Sequence, residues 1–323
     1  MILPLLLAAA AAAPHPSELK TFQDWTVGCD NGHACHAVAL VPEDWPDDAL
    51  TMSVKRGAEA RAAPAVAIEL GADSAAASLV ADGKRLPIRL VGREGQTHVA
   101  EADVQAAIGA LRSADRLEVK GADGKPLGTV SLKGASAALL YMDEQQRRTG
   151  TATALVRPGS RPPAAAPPPL PFGSAELKAL RRKHGRTIDE VGGPEEAERS
   201  TLTADSTLLL LACGSGAYNV SHVPFVLRRS GGRVRADLAA FDAPQQWWAE
   251  ERKPILINAA WDFDRGLLAS YSKGRGLGDC GTTAAYAWDG GAFRLVEQAE
   301  MGECRGSTDY ITTWRAQLVR QRR

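Results

Sequence analysis

The chain has 323 residues, in which 38 lysines and arginines balance 38 aspartates and glutamates, so its formal net charge is zero. Nucleic-acid-binding proteins usually carry a basic excess, so this balance argues against that class and predicts no nucleic-acid partner. The apolar fraction of 45% is ordinary for globular domains, and the length is sufficient for two of them.

The chain begins with an apolar run over residues 2–13. The run is too short to span a bilayer, since a membrane helix needs about 20 residues. It is typical of the hydrophobic region of a secretory signal peptide, and its alanine-rich end offers a cleavage site near Ala13. A disordered Ala/Pro leader is the alternative. We therefore predict a signal peptide over residues 1–16 and a soluble, periplasmic mature chain without a transmembrane segment.

The stretch CDNGHACH, residues 29–36, contains two cysteines and two histidines. Haem attachment requires C-x-x-C-H, and Gly32 stands three positions before Cys35, so this stretch cannot attach a haem. A zinc site would need all four side chains to converge from an irregular spacing with no second ligand pair nearby. Metal binding therefore stays an alternative, and no metal or cofactor is assigned.

A hairpin closed by a disulfide is the favoured interpretation of the same stretch. Apolar residues alternate on both sides of it, as they do on one face of a β-strand. Residues 30–32, Asp-Asn-Gly, tolerate the positive φ of a tight turn. Facing strands would bring Cys29 and Cys35 within bridging range, and His33 and His36 are then expected in the loop and on the surface.

Residues 17–157 predict an α+β domain with a mostly antiparallel sheet and two helices. The first helix has Val104, Ile108 and Leu111 on one face and Asp103 as a candidate cap. The second helix is apolar early, charged late and expected to end near Gly150. The strands are predicted at 50–56, 65–70, 78–90 and 116–120, and the helices at 103–115 and 134–150.

A proline-rich linker follows at residues 158–173, because proline favours extended polyproline II. Residues 174–323 predict a β-rich domain that is preceded by a helix at 174–185. The Asp-Gly-Gly sequence at Asp289 indicates a hairpin. Strands and turns are predicted at 204–219, 223–229, 233–238, 254–262, 266–274, 283–300 and 313–319.

Five cysteines cannot all pair within one chain. Cys280 and Cys304 can bridge two adjacent strands, as Cys29 and Cys35 can, which leaves Cys213 as a free thiol. We expect Cys213 to be a buried, inert thiol. The alternative is a nucleophile, which would need a base such as His222, the nearest histidine in sequence, to lower its pKa.

The glycine-rich stretch SKGRGLGDCG, residues 272–281, allows backbone amides to approach a ligand closely. It lacks the Gly-Lys-Ser/Thr ending of a P-loop and the spacing of a dinucleotide fingerprint. Lys273, Arg275 and Arg305 could form an anion-binding corner. The favoured alternative is that Arg275 and Asp279 satisfy one another and tie the loop down.

Four stretches resemble, in order and spacing, the bacterial family known as domain of unknown function 1176. They are DWTVGCDNGHAC, MDEQQRRTGTATALVRPGSRP, ACGSGAYN, and the segment from SKGRGLGDCG to ECRG. The resemblance covers nearly the whole mature chain and implies an exported protein of a Gram-negative bacterium. It carries no activity or catalytic residue. Family members often have a further cysteine early in the second domain, and its absence at residues 187–189 implies that Cys213 lacks a partner.

The N-terminal half is also similar to the invasion-associated locus B type of periplasmic domain. The likeness rests on the F-x-x-W-x-V-x-C opening at residues 22–29 and on SLKGASAAL at residues 131–139. It implies an interaction role in the cell envelope. Separately, Ser215 to Tyr218 resembles the loop motif of periplasmic lysozyme inhibitors, one residue short.

We therefore expect an exported periplasmic protein that binds a protein or a glycan of the cell envelope and is not an enzyme. The alternatives are an envelope enzyme that uses Cys213 or the loop at 273–281, and a lysozyme-inhibitor-like protein whose segment 215–218 projects as a loop. An enzyme should join Cys213 or Asp279 to a base in a deep pocket. A binding protein should instead show a shallow aromatic or charged surface. The candidate binding residues are Tyr218, Asn219, Lys273, Arg275, Asp279 and Arg305.

Overall fold

The structure is a computed structural model that describes residues 13–44, 46–70, 76–93, 95–165, 171–172, 197–244, 246–248 and 253–318. The predicted helix at 174–185 and most of the predicted signal peptide lie outside these residues. The predicted β-rich α+β fold is confirmed, with mostly antiparallel sheets and, among the described residues, two short α-helices. No helix within the described ranges is long and apolar enough to cross a membrane.

The first half, residues 13–165, contains a seven-stranded and a four-stranded sheet. Its elements are β1 Lys20–Phe22, β2 Trp25–Cys29, β3 Cys35–Ala39, β4 Met52–Arg56, β5 Ala65–Glu69, β6 Ser78–Ala81, β7 Lys84–Arg85, β8 Leu90–Arg93, β9 Gln96–Val99, a 3-10 helix Glu101–Asp103, α1 Val104–Leu111, β10 Arg116–Lys120, β11 Pro126–Ser131 and α2 Ala135–Gln145. The strand orders are β1-β2-β3-β4-β5-β9-β8 and β11-β10-β6-β7.

Helix α1 buries the face that its apolar spacing predicts, with Val104, Ile108 and Leu111 all inside the core. Asp103 occupies the N-cap position but makes no capping hydrogen bond. Its carboxylate accepts instead from the backbone N and the Nε of Arg89, at 2.9 and 3.0 Å. The predicted side-chain cap is therefore wrong, because the backbone and the guanidinium of Arg89 together occupy the Asp103 carboxylate.

Helix α2 ends at Gln145, which is earlier than the predicted end near Gly150. Arg147 follows with a φ of 55°, and a left-handed residue cannot continue a right-handed helix. The next residue, Arg148, then turns its backbone N–H onto the carbonyl of Asp143, at 2.7 Å. The chain therefore folds back over the core at this point.

The second half, residues 197–318, is built from two larger antiparallel sheets. Its strands, with the short β12 Pro171–Phe172 that precedes them, are β13 Ala197–Thr201, β14 Ser206–Ser215, β15 Val220–Ser230, β16 Arg233–Leu238, β17 Gln246–Trp248, β18 Lys253–Ile257, β19 Ala260–Asp262, β20 Leu267–Lys273, β21 Gly281–Trp288, β22 Phe293–Met301, β23 Ile311–Arg315 and β24 Gln317–Leu318. The orders are β13-β14-β15-β18-β17, with β16 also on β15, and β19-β20-β21-β22-β23, while β12 pairs with β24.

The two larger sheets of the second half enclose a shared core, to which the sheet of β14 contributes aliphatic side chains and the sheet of β21 contributes both aliphatic and aromatic ones. The strands β21 and β22 form the hairpin that was predicted at Asp289. Its carboxylate accepts from the backbone N–H groups of Gly291 and Ala292, at 2.8 and 2.7 Å. An aspartate that satisfies the turn amides in this way fixes the hairpin locally.

The two halves pack against one another through a separate apolar cluster. Val38 and Leu40 of the first half meet Cys280, Met301 and Ile311 of the second half. The seven-stranded sheet is therefore covered on both faces at β2 and β3, whose residues are all buried. The alternating pattern in the sequence indicates only one of these faces, because the other face combines Thr26, Gly28 and His36 with a single aliphatic residue, Val38.

Candidate functional site

The first predicted cysteine pair lies at disulfide distance. Cys29 and Cys35 stand directly opposite one another in the hairpin β2–β3, with Cα atoms 4.0 Å apart. The turn differs from the prediction, because the residue with a positive φ is His33, at 62°. Asp30 shapes the turn by accepting from the backbone N–H groups of Gly32 and Ala34, at 2.8 and 3.0 Å.

His36 is buried between the two halves, so its predicted surface position is wrong. Its Nε2 lies 3.3 Å from the Oδ2 of Asp309, and the Nζ of Lys55 lies 2.7 Å from the Oδ1 of the same carboxylate. Burial lowers the pKa of His36. Burial would raise the pKa of Asp309, but hydrogen bonds and charge from His36 and Lys55 outweigh it and hold that pKa far below its ordinary value.

The four side chains of CDNGHACH do not converge as a zinc site. Cys29 and Cys35 are joined in a disulfide, and a disulfide sulfur cannot supply the thiolate that zinc needs. His36 is directed at Asp309. Across the parts of the chain that the structure describes, no group of three or more His, Cys, Asp or Glu side chains is arranged to hold a metal ion.

The second predicted cysteine pair closes the glycine-rich stretch. Cys280 and Cys304 lie at disulfide distance with Cα atoms 4.7 Å apart. The loop packs tightly against this bridge, and a Cβ added at Gly274 would lie 2.6 Å from the sulfur of Cys280. Gly281 has a φ of 135°, a backbone conformation that residues with a side chain rarely adopt. Two of the glycines are therefore needed for the bridge and its turn, independently of any ligand.

Arg275 and Asp279 satisfy one another, as the favoured interpretation predicts. The Nε of Arg275 donates to Oδ1 of Asp279 at 2.7 Å, and its Nη2 contacts the other oxygen. The backbone N–H of Gly306 donates to the same carboxylate at 2.8 Å. The hydrogen bond from Arg275 lowers the pKa of Asp279, which therefore holds the loop as an ionised anchor.

Arg305 lies away from the predicted anion-binding corner. Its Nε donates to the carbonyl of Val41 at 2.7 Å, its Nη1 to the carbonyl of Gln23 at 3.1 Å, and its Nη2 pairs with the carboxylate of Asp24. All three partners belong to the first half. The Arg305 side chain is therefore a clamp between the halves. Of the three cations of the predicted corner, Lys273 and Arg275 lie in the glycine-rich loop.

Tyr218 and Asn219 meet the glycine-rich loop, although 54 residues separate Asn219 from Lys273. The hydroxyl of Tyr218 donates to the carbonyl of Gly274 at 3.1 Å. The side-chain amide of Asn219 exchanges two hydrogen bonds with the backbone of Lys273, at 2.8 and 3.2 Å. The tip of the hairpin β14–β15 is thus fastened to the start of the loop.

Asn258 links the tip of the hairpin β14–β15 to the end of β20 through its side chain, a role that the sequence did not indicate. Its Nδ2 donates to the Oδ1 of Asn219 at 2.9 Å and to the carbonyl of Tyr271 at 2.9 Å. Its Oδ1 accepts from the backbone N–H of Val220 at 2.8 Å. Asn258 has a φ of 45°, a conformation that asparagine tolerates better than most residues.

The fastened segments present an exposed, partly apolar surface. Tyr218 is 40% exposed and Leu277, at the tip of the loop, is 70% exposed. The ring of Tyr218 lies 3.6 Å from the position of a Cβ on Gly276, so the ring and the loop are in contact. We name this patch the Tyr218 surface, and it consists of Tyr218, Asn219, Lys273, Arg275 and Leu277.

Cys213 is an exposed free cysteine, so the expectation of a buried thiol is wrong. It lies where the register of β14 and β15 shifts, between Ala212 and Gly214, and the residues from here to the hairpin tip are exposed. Its sulfur contacts the carbonyl of Ser221 at 3.4 Å. His222 pairs with Ala212 in the ladder rather than with Cys213.

Thiol labelling of the native protein should therefore modify one cysteine per chain without denaturant. Cys213 is the reactive position, because the other four cysteines are bridged. The C213S variant is the control and should show no labelling before or after unfolding. Labelling that requires unfolding, or labelling of more than one native thiol, would contradict the exposed position and the two bridges.

A family model described as "Protein of unknown function (DUF1176)" matches residues 19–317. The uncharacterized protein YpfG of Escherichia coli (strain K12) is 29% identical over 352 residues, with 97% of this chain and 96% of that protein covered. The crystal structure of invasion associated protein b from Bartonella henselae is 20% identical, with a TM-score of 0.30, and covers 41% of this chain and 99% of that chain. The family match spans most of the sequence, so this chain belongs to the DUF1176 family.

Proposed function

We propose that the protein is exported to the periplasm and binds a protein or glycan of the cell envelope through the Tyr218 surface. The observation that carries the proposal is the meeting of two distant segments at an exposed tyrosine and leucine. Tyr218 and Leu277 remain 40% and 70% exposed, although the backbone beside each is held by hydrogen bonds. Exposed aromatic and aliphatic side chains on a fixed backbone are typical of binding surfaces.

The rigidity of this surface supports a binding role. The glycine-rich loop is held by the Cys280–Cys304 bridge, by the Arg275–Asp279 pair and by the hydrogen bonds from Tyr218 and Asn219. A loop that is already ordered loses little conformational freedom when it binds, so more of the contact energy appears as affinity. Lys273 and Arg275 flank the apolar centre and suit anionic groups on a partner.

The two disulfides support export, since disulfides persist in oxidising compartments and are rare in the cytosol. The predicted signal peptide at residues 1–16 points in the same direction. Within this proposal, the division into domains at 17–157 and 174–323, joined by a linker at 158–173, stays a prediction.

An envelope enzyme has less support from the same residues. Cys213 contacts a backbone carbonyl, and Asp279 is committed to Arg275 and to the amide of Gly306. Neither residue lines the groove that the start of the first half forms with β22 and the residues after it. A lysozyme-inhibitor-like role is also less well supported, because the segment 215–218 ends a tight hairpin whose Tyr218 is fastened to Gly274.

Cosedimentation with envelope fractions tests the proposal. We expect wild-type protein to bind either purified peptidoglycan sacculi or a native extract of envelope proteins. The Y218A/L277A variant should bind about tenfold more weakly or less, since central apolar side chains supply much of the affinity of such surfaces. Loss of binding after muramidase digestion would identify a glycan, and loss after trypsin treatment of the extract would identify a protein.

The V234A/L238A variant is the matched control. Val234 and Leu238 lie on β16 and are 45% and 41% exposed, so their removal changes a comparable apolar area elsewhere. Binding of this control should equal that of the wild type. Absence of binding to both fractions, or equal binding by the Y218A/L277A variant, would overturn the proposal.

A further inference from the structure

A groove of about 560 Å³ lies between the two halves, apart from the Tyr218 surface. One wall is formed by the start of the first half and by β1 and β2. The other wall is formed by β22 and the residues that follow it. Its volume is within the range of about 300–1,000 Å³ that is usual for small-molecule sites. The residues that carry charge or a polar side chain toward it include Thr21, Thr26, Gln298, Glu300 and Glu303.

The charge of this groove is negative. Glu18, Glu300 and Glu303 all line it, and the described lining includes no lysine, arginine or histidine. Glu303 accepts a hydrogen bond from Thr21 at 3.3 Å, and Glu18 pairs with the exposed Lys20 at 3.5 Å. Glu300 forms no ion pair within the described parts of the chain. Its half-buried carboxylate has a pKa above the ordinary value because of desolvation.

A buried hydroxyl without a partner belongs to Thr26, one of the residues that line the groove. Thr26 is fully buried, and its Oγ1 has no hydrogen-bond partner among the described residues. The residue stands directly opposite Thr21 in the β1–β2 ladder. It shares its face of β2 with Gly28, which packs against Leu19 and against Ile311 of the second half. A buried polar atom without a partner is costly, and native proteins usually satisfy it with water or a ligand.

These groups together suit a cation that has several hydrogen-bond donors. An alkylammonium has three N–H donors around one compact charge, and carboxylates and hydroxyls are the acceptors that it needs. Its methylene chain could follow the apolar side of the groove at Leu19, as lysine stems do along protein surfaces. Binding would also relieve the cost of keeping Glu300 ionised while it is partly desolvated.

We propose that the groove between the halves is a binding site for an alkylammonium group, which Glu300, Glu303 and Thr26 receive. The group belongs either to a free diamine or to a lysine side chain of a peptide, because both present the same ammonium on a methylene chain. The proposal goes beyond the envelope-binding function and does not depend on it, since it uses none of the residues of the Tyr218 surface.

Isothermal titration calorimetry at low ionic strength tests the site with three probes. These are 1,5-diaminopentane, a Gly-Lys-Gly peptide with blocked ends, and the equivalent Gly-Gln-Gly peptide as the uncharged control. We expect binding of the diamine, of the lysine peptide or of both, and none of the glutamine peptide. Binding of the diamine alone would indicate a small amine, and binding of the lysine peptide alone would indicate a protein segment. Either outcome supports the ammonium site.

Variants connect the binding to the groove. The E300Q/E303Q variant should bind about tenfold more weakly or less, because two charge-assisted hydrogen bonds are lost. The T26V variant, which keeps all the charges, should bind about threefold more weakly. The matched control is E297Q, whose carboxylate lies on the same strand but outside the groove, paired with Arg265 at 3.0 Å.

Three outcomes would overturn the proposal. The first is that neither amine binds to the wild-type protein. The second is that the E300Q/E303Q variant binds as tightly as the wild type while its circular dichroism spectrum is unchanged. The third is that the E297Q variant weakens binding as much as the double variant, which would indicate a general attraction to acidic protein.

Discussion

Replacement of Arg56 by methionine is expected to lower the free energy of unfolding by about 3–5 kcal/mol, since it removes one partner of a buried ion pair. The side chains of Arg56 and Asp143 are fully buried, and their charged atoms lie 2.7 Å apart. Arg56 also donates to Gln146 at 2.6 Å and to the carbonyl of Thr153 at 3.0 Å. The variant would leave the Asp143 carboxylate in the core without the guanidinium to which it is hydrogen-bonded.

Equilibrium unfolding in guanidinium chloride, with the disulfides intact, measures this effect. The R235M variant is the control, because Arg235 makes an ion pair with Asp237 at 2.7 Å on the surface, where its side chain is 82% exposed. Loss of this surface ion pair should lower the free energy of unfolding by less than about 1 kcal/mol. Equal stabilities of the R56M and R235M variants would contradict the role of the buried pair.

Replacement of Arg305 by alanine is expected to lower the free energy of unfolding by about 3 kcal/mol. The guanidinium reaches from the second half to the carbonyls of Val41 and Gln23 and to the carboxylate of Asp24. The side chains of Arg305 and Asp24 are only 12% and 14% exposed. Alanine would remove three hydrogen bonds across the contact between the halves and leave Asp24 without its cation.

The R265A variant separates this clamp from an ordinary surface pair. Arg265 and Glu297 lie within the second half, 3.0 Å apart and about half exposed, and their separation should cost less than about 1 kcal/mol. Both variants are compared by the same denaturant titration. A loss of stability in R305A no larger than in R265A would show that the clamp does not stabilise the packed halves.

The local features were predictable from the sequence because they depend on neighbouring residues. Asp289 and the glycines after it specify their hairpin through side-chain and backbone geometry within four residues. Cys29 and Cys35 face one another because a six-residue separation fits a hairpin. The apolar face of α1 follows from helical spacing alone. In each case the chemistry that fixes the structure lies within one short window.

The contacts between the halves were not predictable in this way. His36 looks like a surface residue because only its neighbours in sequence are visible, and its partner Asp309 is far along the chain. Arg305 looks like a loop cation beside Asp279, yet it extends to Asp24, 281 residues away. The direction of a long side chain depends on the surface that packs over it. Packing between distant segments leaves no periodic pattern of apolar residues in the sequence.

Part of the candidate site was predictable and part was not. Tyr218, Asn219, Lys273 and Arg275 drew attention through residue type and glycine content, and the structure places them together. Asn258, which joins the two segments, lies in an ordinary strand-like sequence and gave no signal. Cys213 was expected to be buried because a free cysteine usually is, but its strand extends beyond the core before it turns.

Site-specific photo-crosslinking in living cells tests the Tyr218 surface most directly. A benzophenone amino acid at position 277 would sit at the tip of the loop, where Leu277 is 70% exposed, and benzophenone inserts into C–H bonds of proteins and glycans alike. Position 238, on β16, is the control, where Leu238 is 41% exposed. We expect a discrete crosslinked product from position 277 that is absent from position 238. No product from position 277, or the same products from both positions, would contradict it.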